Sequence, residues 1–260
     1  MNKNHPFHLV TNSPWPIMLS FSILNLMMSS IMMFYKKNFW FLTFSMLILF
    51  MNLYQWWRDV KRESSLKGDH TNIVKKMIKM GMIMFITSEV MFFFSFFWGF
   101  FHSSLSPSIE MGLKWPPKGI DTFNPMEIPL LNTIILISSG ASITWAHQSI
   151  LSNKLKQSIK SLMITILLSI YFTSLQWIEY KNSSFTITDS VYGSSFFLTT
   201  GFHGLHVLMG TIFILTAMES ILMMKSNKFN HLSLELSAWY WHFVDVVWLF
   251  LYLILYWWNK

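Results

Sequence analysis

Seven long apolar stretches divide this chain, and the gaps between its charged residues locate them. No Lys, Arg, Asp or Glu falls between Lys3 and Lys36, and the apolar part runs from Ile17 to Tyr35. The next charge-free run is Asn38 to Trp57. Met80 to Ile109 holds one charge, Glu89. Ile128 to Asn153, Ser161 to Ile178 and Ser190 to Met218 hold none, and Leu236 to Asn259 holds only Asp245. A helix needs about 20 apolar residues to cross a hydrocarbon core about 30 Å thick. Strands of a closed barrel would alternate over about ten residues, whereas these runs are apolar on every face. Lipid offers the backbone no hydrogen bonds, so the pattern predicts transmembrane helices. Trp15, Tyr35, Trp56, Trp57, Trp177, Tyr180, Trp257 and Trp258 stand at span edges, where amphipathic rings anchor at the interface.

Composition agrees with this reading. Only 12% of the 260 residues are charged, about half the share in a soluble domain, which argues against a water-soluble enzyme and excludes intrinsic disorder. There is no Cys, hence no disulfide, no thiolate ligand and no Cys nucleophile. Phe 25 and Met 20 against only two Arg suggest A+T-rich coding with a reassigned Met codon, a hint of an organelle genome. The first apolar run is too long for a signal peptide, and no small-residue cleavage site follows it.

The net charge of +7 is unevenly placed. With seven spans, the loops on the N-terminal side carry 13 basic residues and those on the other side 6. The positive-inside rule then puts the N-terminus on the cytoplasm-like side and the C-terminus opposite. No basic stripe is interleaved with exposed aromatics, so nucleic-acid binding is not expected. The charged segment 58–79 reads as a loop that divides a two-helix arm, 1–57, from a five-helix bundle, 80–260. A second loop, His102 to Glu127, holds the run Trp115-Pro116-Pro117-Lys118-Gly119, which stops helix propagation.

The intramembrane polar residues are the candidates for function. Glu89 lies about 15 Å into its span, where an isolated carboxylate costs on the order of 3 kcal/mol. It must be protonated, paired, or turned to a protein-lined interior. Its neighbours are mostly Phe, with Ser88 and Ser95 as the near polar groups. The residue reads as a proton-exchanging or headgroup-contacting group, or as a structural bond between helices. His242 and Asp245 share a helix face at a spacing of three and can neutralise each other. His203 and His206 repeat that spacing in Gly201-Phe202-His203-Gly204-Leu205-His206. Two such His could hold haem or copper, but no ligand cluster of known spacing accompanies them, and helix–helix hydrogen bonding with no metal is the favoured reading. Gly-rich phosphate loops and nucleophile motifs are absent.

Several blocks resemble the cytochrome c oxidase subunit III family. They include Trp239-Tyr240-Trp241-His242-Phe243-Val244-Asp245-Val246-Val247-Trp248, Thr200-Gly201-Phe202-His203-Gly204-Leu205-His206, Tyr54-Gln55-Trp56-Trp57-Arg58-Asp59, Ser88-Glu89-Val90, Phe101-His102-Ser103-Ser104 and Thr144-Trp145-Ala146-His147. They occur in family order from Ser13 to Trp258. The resemblance implies an all-α integral membrane protein of seven transmembrane helices, two plus five, with a lipid-filled cleft. It implies a mitochondrially encoded, multi-pass protein of the inner membrane, with the N-terminus on the matrix side and the C-terminus on the intermembrane-space side.

By the same resemblance the chain has no redox centre or cofactor of its own. Haem and copper belong to partner subunits: subunit I, which it flanks directly, and subunit II, with supernumerary subunits around them. Phospholipids are bound. Glu89 corresponds to the buried carboxylate of the third helix that supports proton uptake, and Trp57, Arg62, Glu63, His70 and Trp98 correspond to lipid-binding positions. Lys79 stands where Arg is expected and Gln148 where a second His is expected. Glu219 stands where an anionic lipid would want a cation. Two other functions fit the residues: an independent proton-coupled transporter using Glu89 and Asp245, or a purely structural scaffold.

Overall fold

A computed structural model of the chain describes residue 8 and residues 10–109, 112–228 and 230–259. Lys3 and Lys260, both used in the charge count above, lie outside these. The described residues form seven long helices: α1 (Trp15–Lys36), α2 (Trp40–Ser65), α3 (Asn72–Leu105), α4 (Ile128–Leu151), α5 (Leu155–Lys181), α6 (Val191–Leu222) and α7 (Leu232–Leu251), the last continuing into a π-helical turn (Tyr252–Trp257). No strand occurs among the described residues. Six helices are long and apolar enough to cross a membrane by length and composition. The exception is α2, whose apolar first half gives way to Asn52, Gln55 and then Arg58, Asp59, Lys61, Arg62 and Glu63.

The expected loop 58–79 is helical at both ends. Arg58 to Ser65 extend α2, and α3 begins at Asn72. Charges end the hydrocarbon-compatible run but do not end a helix, because Arg, Lys and Glu are good helix formers once solvated. The true connection is short. Gly68 adopts φ +67°, and the chain wraps back on the last turn of α2: Leu66 N–H and Lys67 N–H donate to the Arg62 carbonyl, and Asp69 N–H donates to the Glu63 carbonyl. Helices α3, α5 and α6 likewise run past the charge-free cores that located them.

The chain divides into two compact units, Met1–Ile78 and Lys79–Lys260. In the first, α1 packs against α2 through small polar residues. Ser29 Oγ and Ser45 Oγ are 2.7 Å apart, and Asn52 Nδ2 donates to the Met18 carbonyl at 3.4 Å. Small side chains let backbones approach where no hydrophobic force drives helices together. In the second unit, α4 meets α5 through the Ser142–Thr165 hydroxyl pair at 2.8 Å. The α6–α7 contact has Gly210 flat against the Trp241 ring. The Trp241 indole N–H in turn donates to Ser139 Oγ on α4 at 2.9 Å. Trp241, Trp248, Phe172, Phe196 and Tyr256 fill this core. Large apolar side chains such as Phe21, Phe94 and Leu167 cover the outside, as expected of a surface whose solvent is lipid.

Candidate functional site

Two polar constellations stand out, one inside the membrane span of the larger unit and one at the charged end of the smaller unit. In the first, Glu89 on α3 meets His206 on α6, with Oε2 to Nε2 at 2.9 Å. His206 Nδ1 is 2.7 Å from the carbonyl of Phe202. A carbonyl can only accept, so Nδ1 carries hydrogen. The Nε2–Oε2 bond then needs one more proton, whether it rides on the carboxyl or on the imidazole. The rings of Phe92, Phe93, Tyr240 and Phe243 surround the imidazole. Ser88 and Ser95 do not serve Glu89, because their hydroxyls donate to the carbonyls of Phe85 and Phe92 on their own helix. In hydrocarbon, a hydroxyl gains most from the nearest free lone pair, and that belongs to its own preceding turn.

His203 and His206 share a helix face but serve different partners. His203 is fully buried, its Nε2 is 3.2 Å from the Val244 carbonyl of α7, and Phe172 and Trp248 flank its ring. His242 and Asp245 approach only to 3.7 Å between Nδ1 and Oδ2, and Asp245 leans on the bare backbone of Gly140. Glu179, just beyond the fifth apolar run, is a buried carboxyl that spacing did not single out. Its Oε1 accepts from the Tyr256 hydroxyl at 2.6 Å.

The second constellation gathers Arg62, Glu63 and His70. Trp57 lies on the same helix, α2. Asp59, which spacing also did not single out, organises the cationic side of this end. It accepts from the Trp15 indole at 2.9 Å, lies 3.1 Å from Arg58 Nη2 and is 3.8 Å from Arg62 Nη1. The Trp15 N–H, with the two guanidiniums, holds its carboxyl below the usual carboxylate range. Trp15, Trp56, Asp59, Arg62, Glu63 and Lys67 line a cavity of about 360 Å³. Glu63 Oε2 is 3.3 Å from His8 Nε2, and the His8 and His70 rings meet edge-on with centroids 5.3 Å apart. Burial pushes the His70 imidazole below its ordinary value, and repulsion from His8 adds to this against the pull of Glu63 and Asp69. His70 is therefore neutral at pH 7.

Trp98 belongs to the larger unit. It is exposed, lies against His102 with ring centroids 5.2 Å apart, and helps line an apolar groove of about 420 Å³ with Phe94, Phe97, Phe101 and Phe250.

Comparison with known proteins places these features in a family context. A family model described as cytochrome c oxidase subunit III matches residues 5–260. Cytochrome c oxidase subunit 3 of Locusta migratoria is 52% identical over 259 residues, covering 100% of this chain and 98% of the relative. The protein of that name from Drosophila melanogaster is 51% identical over 258 residues, with 99% and 98% covered. That from Prototheca wickerhamii is 52% identical over 259 residues, with 99% of each covered.

Proposed function

We propose that this chain, which belongs to the cytochrome c oxidase subunit III family, is a core subunit of the mitochondrial inner-membrane oxidase that carries no redox centre. On this reading it flanks subunit I, holds phospholipid and maintains proton uptake. The haems and coppers of subunits I and II pass electrons from cytochrome c to dioxygen. The matrix-side N-terminus follows from the distribution of Lys and Arg.

The Glu89–His206 pair carries the proposal. One proton lies between a carboxyl and an imidazole in an aromatic setting. It can shift from O–H···N to O⁻···H–N⁺ with no change in the pair's net charge. That arrangement suits a group that takes up and returns a proton, and it does no bond-making on a substrate. Arg62 and Lys67 on the polar cavity of the smaller unit supply the donors that a phosphate headgroup needs. Trp15 and Trp56 beside them are rings of the kind that anchor at headgroup depth.

Glu89→Gln tests the reading. The amide keeps the shape and can donate to His206 Nε2, but it cannot give up a proton. The intact oxidase should assemble with normal initial oxidation of cytochrome c and show slower proton uptake and poorer sustained turnover. Unchanged uptake and turnover would favour a purely structural scaffold.

A further inference from the structure

The sequence spacing offered no metal-ligand set, yet folding assembles one from three separate segments. His8 precedes α1, Glu63 lies in the last turns of α2, and His70 lies in the connection to α3. The ligand-type atoms of all three lie within 4.8 Å of one another. The wrap of residues 66–70 back over α2, closed by Gly68 and the Asp69-to-Glu63 backbone bond, delivers His70 beside Glu63. Thr11 Oγ1 donates to Glu63 Oε1 at 3.3 Å, which leaves Oε2 directed at His8.

We infer that His8, Glu63 and His70 form a three-ligand site for a divalent cation, with zinc as the best-matched ion. Ligands about 2.0–2.1 Å from a tetrahedral ion lie about 3.3 Å from each other. The 3.3 Å separation of His8 Nε2 and Glu63 Oε2 already has that length. His70 needs at most about 1.5 Å of ring movement to complete the face. Two imidazole nitrogens and one carboxylate oxygen suit zinc and its borderline neighbours, and are a poor set for magnesium or calcium, which require more oxygen. Such a triad leaves a fourth position for water or another oxygen donor. Thr11 supplies the outer hydrogen bond that fixes the carboxylate. Glu63 also compensates part of the ion's charge, which matters beside Arg62, Lys67 and Lys75. The three ligands need no lipid in the neighbouring cavity.

The test uses the intact oxidase containing this chain. The complex is stripped with chelator, equilibrated with micromolar zinc chloride, desalted, and assayed for zinc per complex and for content of this chain. His8→Gln and His70→Ala should each hold about one zinc fewer than the unaltered complex at equal chain content. His70→Cys, which supplies a thiolate in place of the imidazole, should restore it. Lys67→Ala, outside the ligand set, should keep it. His8→Gln lies ahead of the first helix, so it reports on the site even if a change at His70 prevents assembly. Equal zinc in His8→Gln and the unaltered complex, or an equal loss in Lys67→Ala, would overturn the inference.

Discussion

If one proton is held between Glu89 and His206, the two side chains should be strongly non-additive when replaced. Glu89→Leu removes the carboxyl but leaves His206 Nε2, enclosed by Phe92, Phe93, Tyr240 and Phe243, with no protein partner. His206→Phe keeps a ring in that enclosure but strands the carboxyl. An unsatisfied buried polar group costs about 1–3 kcal/mol, so each single change should destabilise by that amount. The double change replaces a polar pair with an apolar pair of similar shape and should cost less than the sum of the two single changes. Inter-helix hydrogen bonds in membranes couple by about 0.6 kcal/mol on average and about 1.7 at most. A bond of 2.9 Å that shares a proton belongs near the upper end, about 1.5 kcal/mol, or roughly tenfold in the unfolding equilibrium. Glu89→Gln should cost less than about 0.5 kcal/mol, because the amide N–H can still reach Nε2. Pulse proteolysis of the chain in the purified oxidase, across an SDS series, reads these values. Additive costs, with coupling below about 0.3 kcal/mol, would mean that the two groups are not bonded and would remove the physical basis of the proton-exchange reading.

Two further outcomes follow from packing and protonation. Gly210→Ala would place a Cβ 2.8 Å from Cε3 of the buried Trp241, so it should cost about 1–3 kcal/mol through overpacking, while Gly204→Ala, with nothing near its Cβ, should be neutral or slightly stabilising; equal thermal stability of the two variants would refute the tight α6–α7 contact. His70 has a folded pKa below its ordinary 6.5, so the unfolded chain binds more protons as pH falls. Its contribution to stability is complete above 6.5 and declines as pH falls toward the folded value. Thermal stability in chelator should therefore drop more for the natural chain than for His70→Asn between about pH 8 and about pH 5, and parallel curves would contradict the lowered value.

The spans were legible because lipid makes a simple demand: about 20 residues without a charge, closed on themselves by backbone hydrogen bonds. The same criterion misjudged residues 58–79, since it detects where hydrocarbon stops and says nothing of where helix stops. Intramembrane candidates were legible one by one, because a lone carboxylate such as Glu89 is conspicuous in an apolar run. Their partners were not. A spacing of three links His206 to His203 and Asp245 to His242 on paper, whereas the fold sends His206 across to α3 and His203 to the backbone of α7. His8 and Asp59 escaped notice because neither interrupts a span. Their neighbours are fixed only when the start of the chain and the turn at Gly68 come to the end of α2.

The pattern of hydroxyl bonding favours the proposed supporting subunit over an independent proton carrier. A transporter needs a file of polar groups running from one face to the other. Here Thr87, Ser88, Ser95, Ser103, Ser139 and Thr216 all donate to carbonyls three or four residues back on their own helices. Among the described residues, the hydroxyl pairs that cross between helices, Ser29–Ser45, Ser142–Thr165 and Tyr180–Thr200, are separate contacts, and each joins two helices. Asp245 faces Gly140 and His242, while Glu89 faces His206, so the two acids have different neighbours. Glu89 keeps about a quarter of its side chain exposed, 23%, on α3, a helix whose apolar window is only 6% buried within this chain. Glu89 is therefore the more open member of the pair, since the His206 side chain is 14% exposed. Among the described residues these hydroxyl bonds form no continuous polar route of the kind that transport requires, which favours the proposed supporting subunit over an independent carrier.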